Sequence, residues 1–533
     1  MWLNPEDRQL LWHTDRMHFP EQVPPLMDLQ FHTFNEGFRR AADAYDMPVS
    51  VRYHRLNTYL HMATAPTVPH EQMDEKGKRS EEKLKAGVAQ FSHRWNAEWF
   101  PEVQRYLSHW ETYDLRSATM PALLEHFDVS ASRLARLWEI HFLLAMSLFD
   151  ELYRDVFGSS SALAAVRLLE GFGNKTVESG HALWQLSRKA LVSPPVLRAV
   201  EAGSVGDVLN ALERTPEGQA FLAELRGFLN EFGRRTDTFC DLSKPSWIED
   251  PTTALRNLRG YVKQPDRDLK GELVALGAER DRLIAEARQR IKVYPRQVVE
   301  QFEFLMKAAQ AATVLQEDHN YWIDQRSMDA VRKVLLEIGR RLAEASAVDA
   351  QDDVFYLTPE ELRETVARLK GANRHELVRQ RKAEMERFRT VQPPMMLGAM
   401  PAGEPPDNPM ARAMGKFFGA PPPPSKDRNV INGNPGSPGK VRGKAAVLLT
   451  LGDAGKLQRG DVLVAPATMP AWTPLFATAG AVVTDVGGVL SHCAIVAREY
   501  HIPAVVGTGM ATAVIKDGQT LEVDGDAGTV RIL

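Results

Sequence analysis

Cysteine is nearly absent: Cys240 and Cys493 are the only two in 533 residues. Two cysteines cannot form the disulfide framework of a secreted domain, so a reducing, cytoplasmic setting is expected. Charge of one sign is also lacking. Lys and Arg number 65 against 69 Asp and Glu, a net of −4. Without a broad basic field, nucleic acid is not an expected partner. No apolar run reaches the length of a membrane span, and the charged start, Asn4-Pro5-Glu6-Asp7-Arg8, lacks a signal core. No membrane partner is expected, and no metal ligands. No internal repeat is visible. A nucleotide loop is missing as well. The nearest approach, Gly433 to Lys440, has one residue too many between its glycines, and Val441 stands where Ser or Thr is needed. It reads as a turn.

What is present is ordinary globular material, 44% apolar and 25% charged. A chain this long exceeds a single core, so two or three domains are expected. Residues 1–395 read as mainly helical. Leu134, Leu137, Ile140, Leu143, Leu144 and Leu148 fall at helical spacing, and 272–345 is periodic apart from Gly277, Pro295 and Gly339. Thr358-Pro359-Glu360-Glu361 has the form of a capping box. Residues 396–429 are rich in proline and read as an extended interdomain linker. From 430 to 533 short β-type runs take over: Ala445–Leu449, Val462–Ala465, Ala481–Thr484, Ala504–Val506 and Thr520–Val523. Pro474–Ala479 and Ser491–Tyr500 are helix candidates between them. The expected fold is therefore α plus α/β, a large helical domain followed by a small α/β domain of about 100 residues.

The segment with the most chemical content runs from Thr484 to Tyr500. A strand ends, Gly487-Gly488 turn the chain, and a helix begins near Ser491-His492. Glycines allow close backbone approach, and a helix N-terminus presents unpaired N–H groups and partial positive charge. Together they form an anion cradle with His492 at its mouth. Neutral imidazole is a nucleophile near pH 7, and its attack on phosphorus would leave a phosphohistidine. Spacing alone leaves open an ordinary histidine at a helix start.

With Ile502-Pro503-Ala504-Val505-Val506-Gly507 after it, this segment resembles the phosphohistidine domain of the phosphoenolpyruvate-utilising enzyme family. Pro435-Gly436-Ser437-Pro438-Gly439, Gly460-Asp461-Val462-Leu463-Val464, Trp472-Thr473-Pro474-Leu475-Phe476 and Val523-Asp524-Gly525 agree with the same domain. The resemblance implies a swivelling domain on which His492 carries the phosphoryl group. Gly487, Gly488, Ser491 and Arg498 are its expected phosphate-binding set. Leu490 departs from the threonine usual two positions before the histidine. The chain stops at Leu533, where the pyruvate-binding barrel would follow, so formation of phosphoenolpyruvate is not expected.

The helical region resembles the acceptor-binding domain of rifampicin phosphotransferases and related phenol- or alcohol-phosphorylating proteins. Asp15-Arg16-Met17-His18-Phe19-Pro20, Phe232-Gly233-Arg234-Arg235, Asp241-Leu242-Ser243-Lys244-Pro245-Ser246-Trp247 and Asp353-Val354-Phe355-Tyr356-Leu357-Thr358 carry that likeness. Where the antibiotic phosphotransferases have an arginine and a lysine four residues apart, this chain has Gln316 and Asn320. It offers His319 as a base for the acceptor hydroxyl, oriented by Glu317 or Asp318. Arg234, Arg235 and Lys244 are expected to neutralise the moving phosphoryl group. A polar helix face and surface cations remain the plain alternatives. Trp12, Trp95, Trp99, Trp110, Phe142, Met146 and Phe149 are expected in the core, a few of them lining an acceptor pocket.

The expectation that follows is a histidine-carrying phosphotransferase subunit similar to phenylphosphate synthase and alkylphenol-phosphorylating systems. No cofactor is expected in this chain. ATP and Mg²⁺ are expected on a separate ATP-grasp subunit, and a small phenol or alcohol is the expected substrate. An antibiotic phosphotransferase subunit and a non-catalytic phosphocarrier are the alternatives.

Overall fold

The structure is a computed structural model. It describes all residues except 1–4, 17, 142–152, 154, 158–163, 239, 390, 392, 395, 399–414, 417–418, 420–421 and 423–424. The fold is a combination of helical and α/β parts, as the sequence implies. By contacts the chain divides into two compact units. One holds Met1–Leu143, Thr238–Lys244 and His319–Pro405, and the other Leu144–Asp237, Pro245–Asp318 and Pro406–Leu533. The helical stretch is thus shared between both units, a division that the linear order 1–395, 396–429, 430–533 does not follow. Most of the proline-rich stretch expected to act as a tether lies outside the described residues, as do Phe142, Met146 and Phe149.

In the first unit, helix Asp28–Ala44 packs on helix Met120–His141. Gly37 permits the contact, since a Cβ there would lie 2.4 Å from the Trp138 Cβ. Phe34 meets the Trp138 ring edge-on at 4.2 Å. A four-stranded sheet, absent from the sequence reading of this region as helical, completes the unit. Its strands are β1 (Trp12–Thr14), β2 (Val49–Leu56), β3 (Tyr59–Pro66) and β4 (Met396–Leu397), in the order β2-β3-β1-β4. The β2–β3 hairpin closes through Asn57 and Thr58, both at positive φ. Trp12, Trp95, Trp99 and Trp110 are buried, as expected for core residues. The capping box at Thr358 forms, with its side chain accepting from Glu361 N–H.

In the second unit, eight short strands make one sheet: β5 (Val430–Asn432), β6 (Asn434–Ser437), β7 (Lys440–Val447), β8 (Val462–Ala465), β9 (Ala481–Thr484), β10 (Ala504–Val506), β11 (Thr520–Asp524) and β12 (Thr529–Ile532). The order is β5-β12-β11-β7-β8-β9-β10-β6. The four central strands, β7 to β10, run parallel, and the flanking pairs are antiparallel. Of these, β8, β9 and β10 read as unbroken apolar runs because both faces are covered. Val462, Val464, Val483, Val505 and Leu521 form the core on one face. Gly433 to Lys440, read as a turn, contains β6, with the turn itself at Pro438-Gly439. The helices of this unit include Lys175–Leu191, Thr252–Val262 and Arg296–His319. Asn174 and Thr215 cap their helices by accepting from Val177 and Gly218 N–H. No helix among the described residues is long and apolar enough to cross a membrane.

Candidate functional site

His492 opens the helix His492–Glu499, which follows the turn after β9. Ser491 is its N-cap, its hydroxyl accepting from Ala494 N–H at 3.4 Å. Gly487 adopts φ +119°, a conformation that glycine alone takes without strain. Gly488 lies under the backbone of Gly415 and Lys416, where a Cβ would come within 2.1 Å of the Lys416 carbonyl oxygen. That carbonyl accepts from Leu490 N–H, and the Gly488 carbonyl accepts from Ser491 N–H. The cradle is therefore narrower than the sequence implied. The N–H groups of Leu490 and Ser491 are taken by the Lys416 and Gly488 carbonyls.

The His492 side chain is partly exposed, at 17%. Its Nδ1 lies 3.4 Å from the Glu317 carboxylate, and its Nε2 lies 3.5 Å from Thr473 Oγ1. Glu317 and Thr473 are both buried. Thr176 fixes the carboxylate by donating to Glu317 Oε2 at 2.8 Å. These distances to His492 are long for hydrogen bonds, which is common for catalytic contacts before substrate binds. A carboxylate only accepts, so it favours the tautomer with the proton on Nδ1 and the lone pair on Nε2. Nε2 then carries the lone pair, and the Thr473 hydroxyl stands beside it.

This arrangement reassigns several residues. Glu317, expected to orient His319, instead sits against His492. Asp318 accepts from Lys175 N–H at 2.7 Å, at the start of helix Lys175–Leu191, and burial pushes its pKa up to about 6. It is a helix-terminus ligand rather than part of an acid–base pair. His319 is buried within the first unit, where its Nε2 lies 3.8 Å from Asp324 Oδ2 and its ring meets the His141 ring edge-on at 4.3 Å. The carboxylate facing it is Asp324, not Glu317 or Asp318. Burial pushes Asp324 up to about 7, against the opposing pull of His319 and His18. Burial, with His18 nearby, takes His141 down to about 3.

The expected cations are engaged in holding the fold. Arg498 is buried and donates to the carbonyls of Gly436 and Val489, at 2.6 and 2.9 Å, with Glu170 3.3 Å from its Nε. It thus braces the loop before His492 against β6, and contributes to the site by position rather than by phosphate contact. Arg235 is buried, donates to the Phe232 carbonyl at 3.0 Å and stacks on Trp247. Lys244 pairs with Glu21 at 2.7 Å in the first unit. Arg234 is half-buried in the turn after helix Pro216–Phe232. The residues that sequence reasoning passed over are Thr473 and Thr176. Thr473 lies inside one of the motifs that carried the family resemblance. Thr176 had no signal, because only the fold brings it beside Glu317.

The helix of His492 is also docked at its far end, within the second unit. Glu499 accepts from Gly171 N–H at 3.3 Å, and the Tyr500 hydroxyl meets that of Tyr261 at 3.0 Å. Gln264 donates to Thr478 Oγ1 at 3.2 Å. Buried beside Glu170, Glu499 has its pKa pushed up to about 8, burial being the larger cause.

Comparison with known proteins agrees with the geometry. Residues 457–528 match the family model described as "PEP-utilising enzyme, mobile domain", and residues 140–317 match the rifampicin phosphotransferase fourth domain. His492 and Thr473 fall in the first match, and Glu317 closes the second. The chain is 39% identical over its whole length to part of chondramide synthase cmdD from Chondromyces crocatus, covering 14% of that protein. It is 30% identical to the uncharacterized phosphotransferase YvkC of Bacillus subtilis, with 80% of this chain aligned to 51% of that one. A rifampicin phosphotransferase from Streptomyces sviceus is 29% identical over 68% of this chain and 40% of its own length. The chain thus spans about half or less of the length of these relatives. The chain thus carries one segment similar to the mobile domain of phosphoenolpyruvate-utilising enzymes and another similar to the rifampicin phosphotransferase fourth domain.

Proposed function

We propose that this chain is a phosphotransferase component in which His492 Nε2 carries a phosphoryl group from ATP, bound on a partner outside these residues, to a phenol or alcohol hydroxyl. The observation that carries the reading is the Thr176–Glu317–His492–Thr473 arrangement. It leaves Nε2 as the nucleophile at a capped helix N-terminus, inside the match to the mobile domain. In the first step, by resemblance, Nε2 bonds to the β-phosphorus as the link to AMP breaks, and water then cleaves the γ-phosphoryl group off as phosphate, leaving one phosphoryl group on Nε2. Nδ1–H stays against Glu317, so the positive charge on the phosphorylated ring meets a carboxylate. In the second step the acceptor oxygen forms a P–O bond and gives up its proton to solvent, the P–N bond breaks with its electron pair returning to Nε2, and neutral imidazole is restored. By resemblance the nucleotide products are AMP and phosphate, with Mg²⁺ on the partner.

Phosphoryl transfer needs positioning and charge stabilisation more than covalent machinery, and the buried Glu317 and Thr473 supply both to one ring. The acceptor domain is supported by the match to the rifampicin phosphotransferase fourth domain.

The test mixes the chain with a candidate ATP-grasp partner, ATP, Mg²⁺ and a panel of phenols, alcohols and rifamycins. Mass spectrometry is expected to find an acid-labile phosphoryl group on His492 and a phosphorylated acceptor, both lost in His492→Ala. Full product formation by His492→Ala would refute the carrier role. Product formation by the chain with ATP alone would refute the need for a partner.

A further inference from the structure

His319 ends one helical element and Asp324 lies five residues on. In an α-helix, residues five apart diverge by roughly 140° around the axis. Here Asn320–Gln325 is a π-helical turn, and the widened turn brings the two side chains together. Such turns occur mostly as single insertions and often mark functional sites. His141, at the end of helix Met120–His141, supplies a third group: its Nδ1 is 3.2 Å from Asp324 Oδ1. One ligand atom from each of His141, His319 and Asp324 lies within 4.8 Å of the others.

We propose that His141, His319 and Asp324 form a binding site for a divalent transition-metal ion, with zinc the expected occupant. No metal ligands were expected from the sequence, because these three are too scattered along the chain to show a ligand motif. The spacing fits: with bonds of about 2.0–2.1 Å, ligand atoms on a tetrahedral zinc ion stand roughly 3.4 Å apart. The two N/O approaches here are 3.2 and 3.8 Å. The donor set fits, since two imidazoles and a carboxylate suit zinc or iron(II) and not magnesium or calcium. Asp324 Oδ2 is buried without a hydrogen-bond partner, a costly state for a carboxylate oxygen that a cation relieves. His141 is partly exposed at 21%, while His319 and Asp324 are buried. His18, held by Asp15 at 2.9 Å, stands near enough to act on both His141 and Asp324. Metal binding here is independent of the phosphoryl carrier role of His492.

The test uses the full chain, stripped with a chelator and titrated with Zn²⁺ by calorimetry, and with Co²⁺ by visible absorption. One equivalent of Zn²⁺ is expected to bind with micromolar or tighter affinity. Co²⁺ is expected to give the intense bands of low-coordinate nitrogen and oxygen ligation. Asp324→Asn, which preserves shape, is expected to weaken binding about 100-fold, and His141→Gln at the exposed edge about 10-fold. Circular dichroism confirms the fold of each variant, and either folded variant decides the matter. Absence of saturable binding in the native chain, or unchanged affinity in a folded variant, overturns the proposal.

Discussion

Glu499 gives a measurable handle on how the His492 helix is held. Its pKa is pushed up to about 8 from an ordinary 4.5, first by burial and then by the neighbouring Glu170, while Gly171 N–H and Arg498 pull the other way. The folded chain therefore keeps a proton on Glu499 between about pH 4.5 and 8, where the unfolded chain has released it. A raised pKa contributes stability that is complete below the unfolded value and is lost as pH rises through the folded one. A tenfold difference in proton affinity between the two states is worth about 1.4 kcal/mol, so this residue alone removes at most about 5 kcal/mol across that window. Glu499→Gln holds a neutral side chain at every pH. It keeps an acceptor for Gly171 N–H and places an amide where Oε2 now has no partner. Urea unfolding from pH 5 to 9 is expected to show similar midpoints for native chain and variant at pH 5. By pH 8 to 9 the variant is expected to be several kcal/mol more stable. Groups that do not interact with Glu499 titrate in both proteins and cancel in the difference, so the difference reports Glu499 together with its neighbour Glu170. Parallel stability curves would refute the buried-proton reasoning.

Two further predictions test the site and the scaffold. Glu317→Gln presents an amide to His492 Nδ1 and removes the preference for the nucleophilic Nε2 tautomer. Phosphorylation of His492 is expected to slow about 100-fold with a shifted pH profile, while the thermal midpoint barely moves. An unchanged profile would separate Glu317 from the chemistry. Gly37→Ala forces a methyl group into Trp138 Cβ and the Ala135 carbonyl. A loss of about 1–3 kcal/mol is expected from overpacking, read as a lower unfolding midpoint, and a neutral effect would mean that the two helices separate freely.

Legibility in the sequence followed the range of the interactions. The strands Val462–Ala465, Ala481–Thr484 and Ala504–Val506 were legible to the residue, because parallel strands buried on both faces are short apolar runs between turns. The capped start of the His492 helix was legible for a similar reason: Ser491 and the glycine pair act locally. The hairpin Val49–Pro66 was not. Its turn is Asn57-Thr58, with a β-branched residue at φ +73° where glycine would signal a hairpin. Arg52, His54 and Arg55 on its first strand also hide the alternation. The site residues divide in the same way. His492 stands out by its own turn, whereas Glu317 was read beside His319 and lies against His492, since helix position says nothing about which partner the fold supplies.

The wrong pairing of Glu317 has a physical cause. Glu317, Asp318 and His319 are consecutive, and a regular helix spreads such residues around its axis by about 100° each. Each side chain therefore meets a different neighbour: Glu317 meets Thr176 and His492, Asp318 meets Lys175 N–H, and His319 meets Asp324. The boundary between the two compact units falls between Asp318 and His319. The π-helical turn begins directly after it, at Asn320. One short segment thus supplies the carboxylate that faces His492, the proposed carrier, and, two residues along the chain, a histidine of the proposed metal site. Inserting or deleting one residue between Glu317 and Asp324 is therefore expected to disturb the two chemistries together. Glu317→Gln and Asp324→Asn, by contrast, are expected to separate them: the first to slow His492 phosphorylation and leave zinc affinity intact, the second to weaken zinc binding and leave phosphorylation of His492 unchanged.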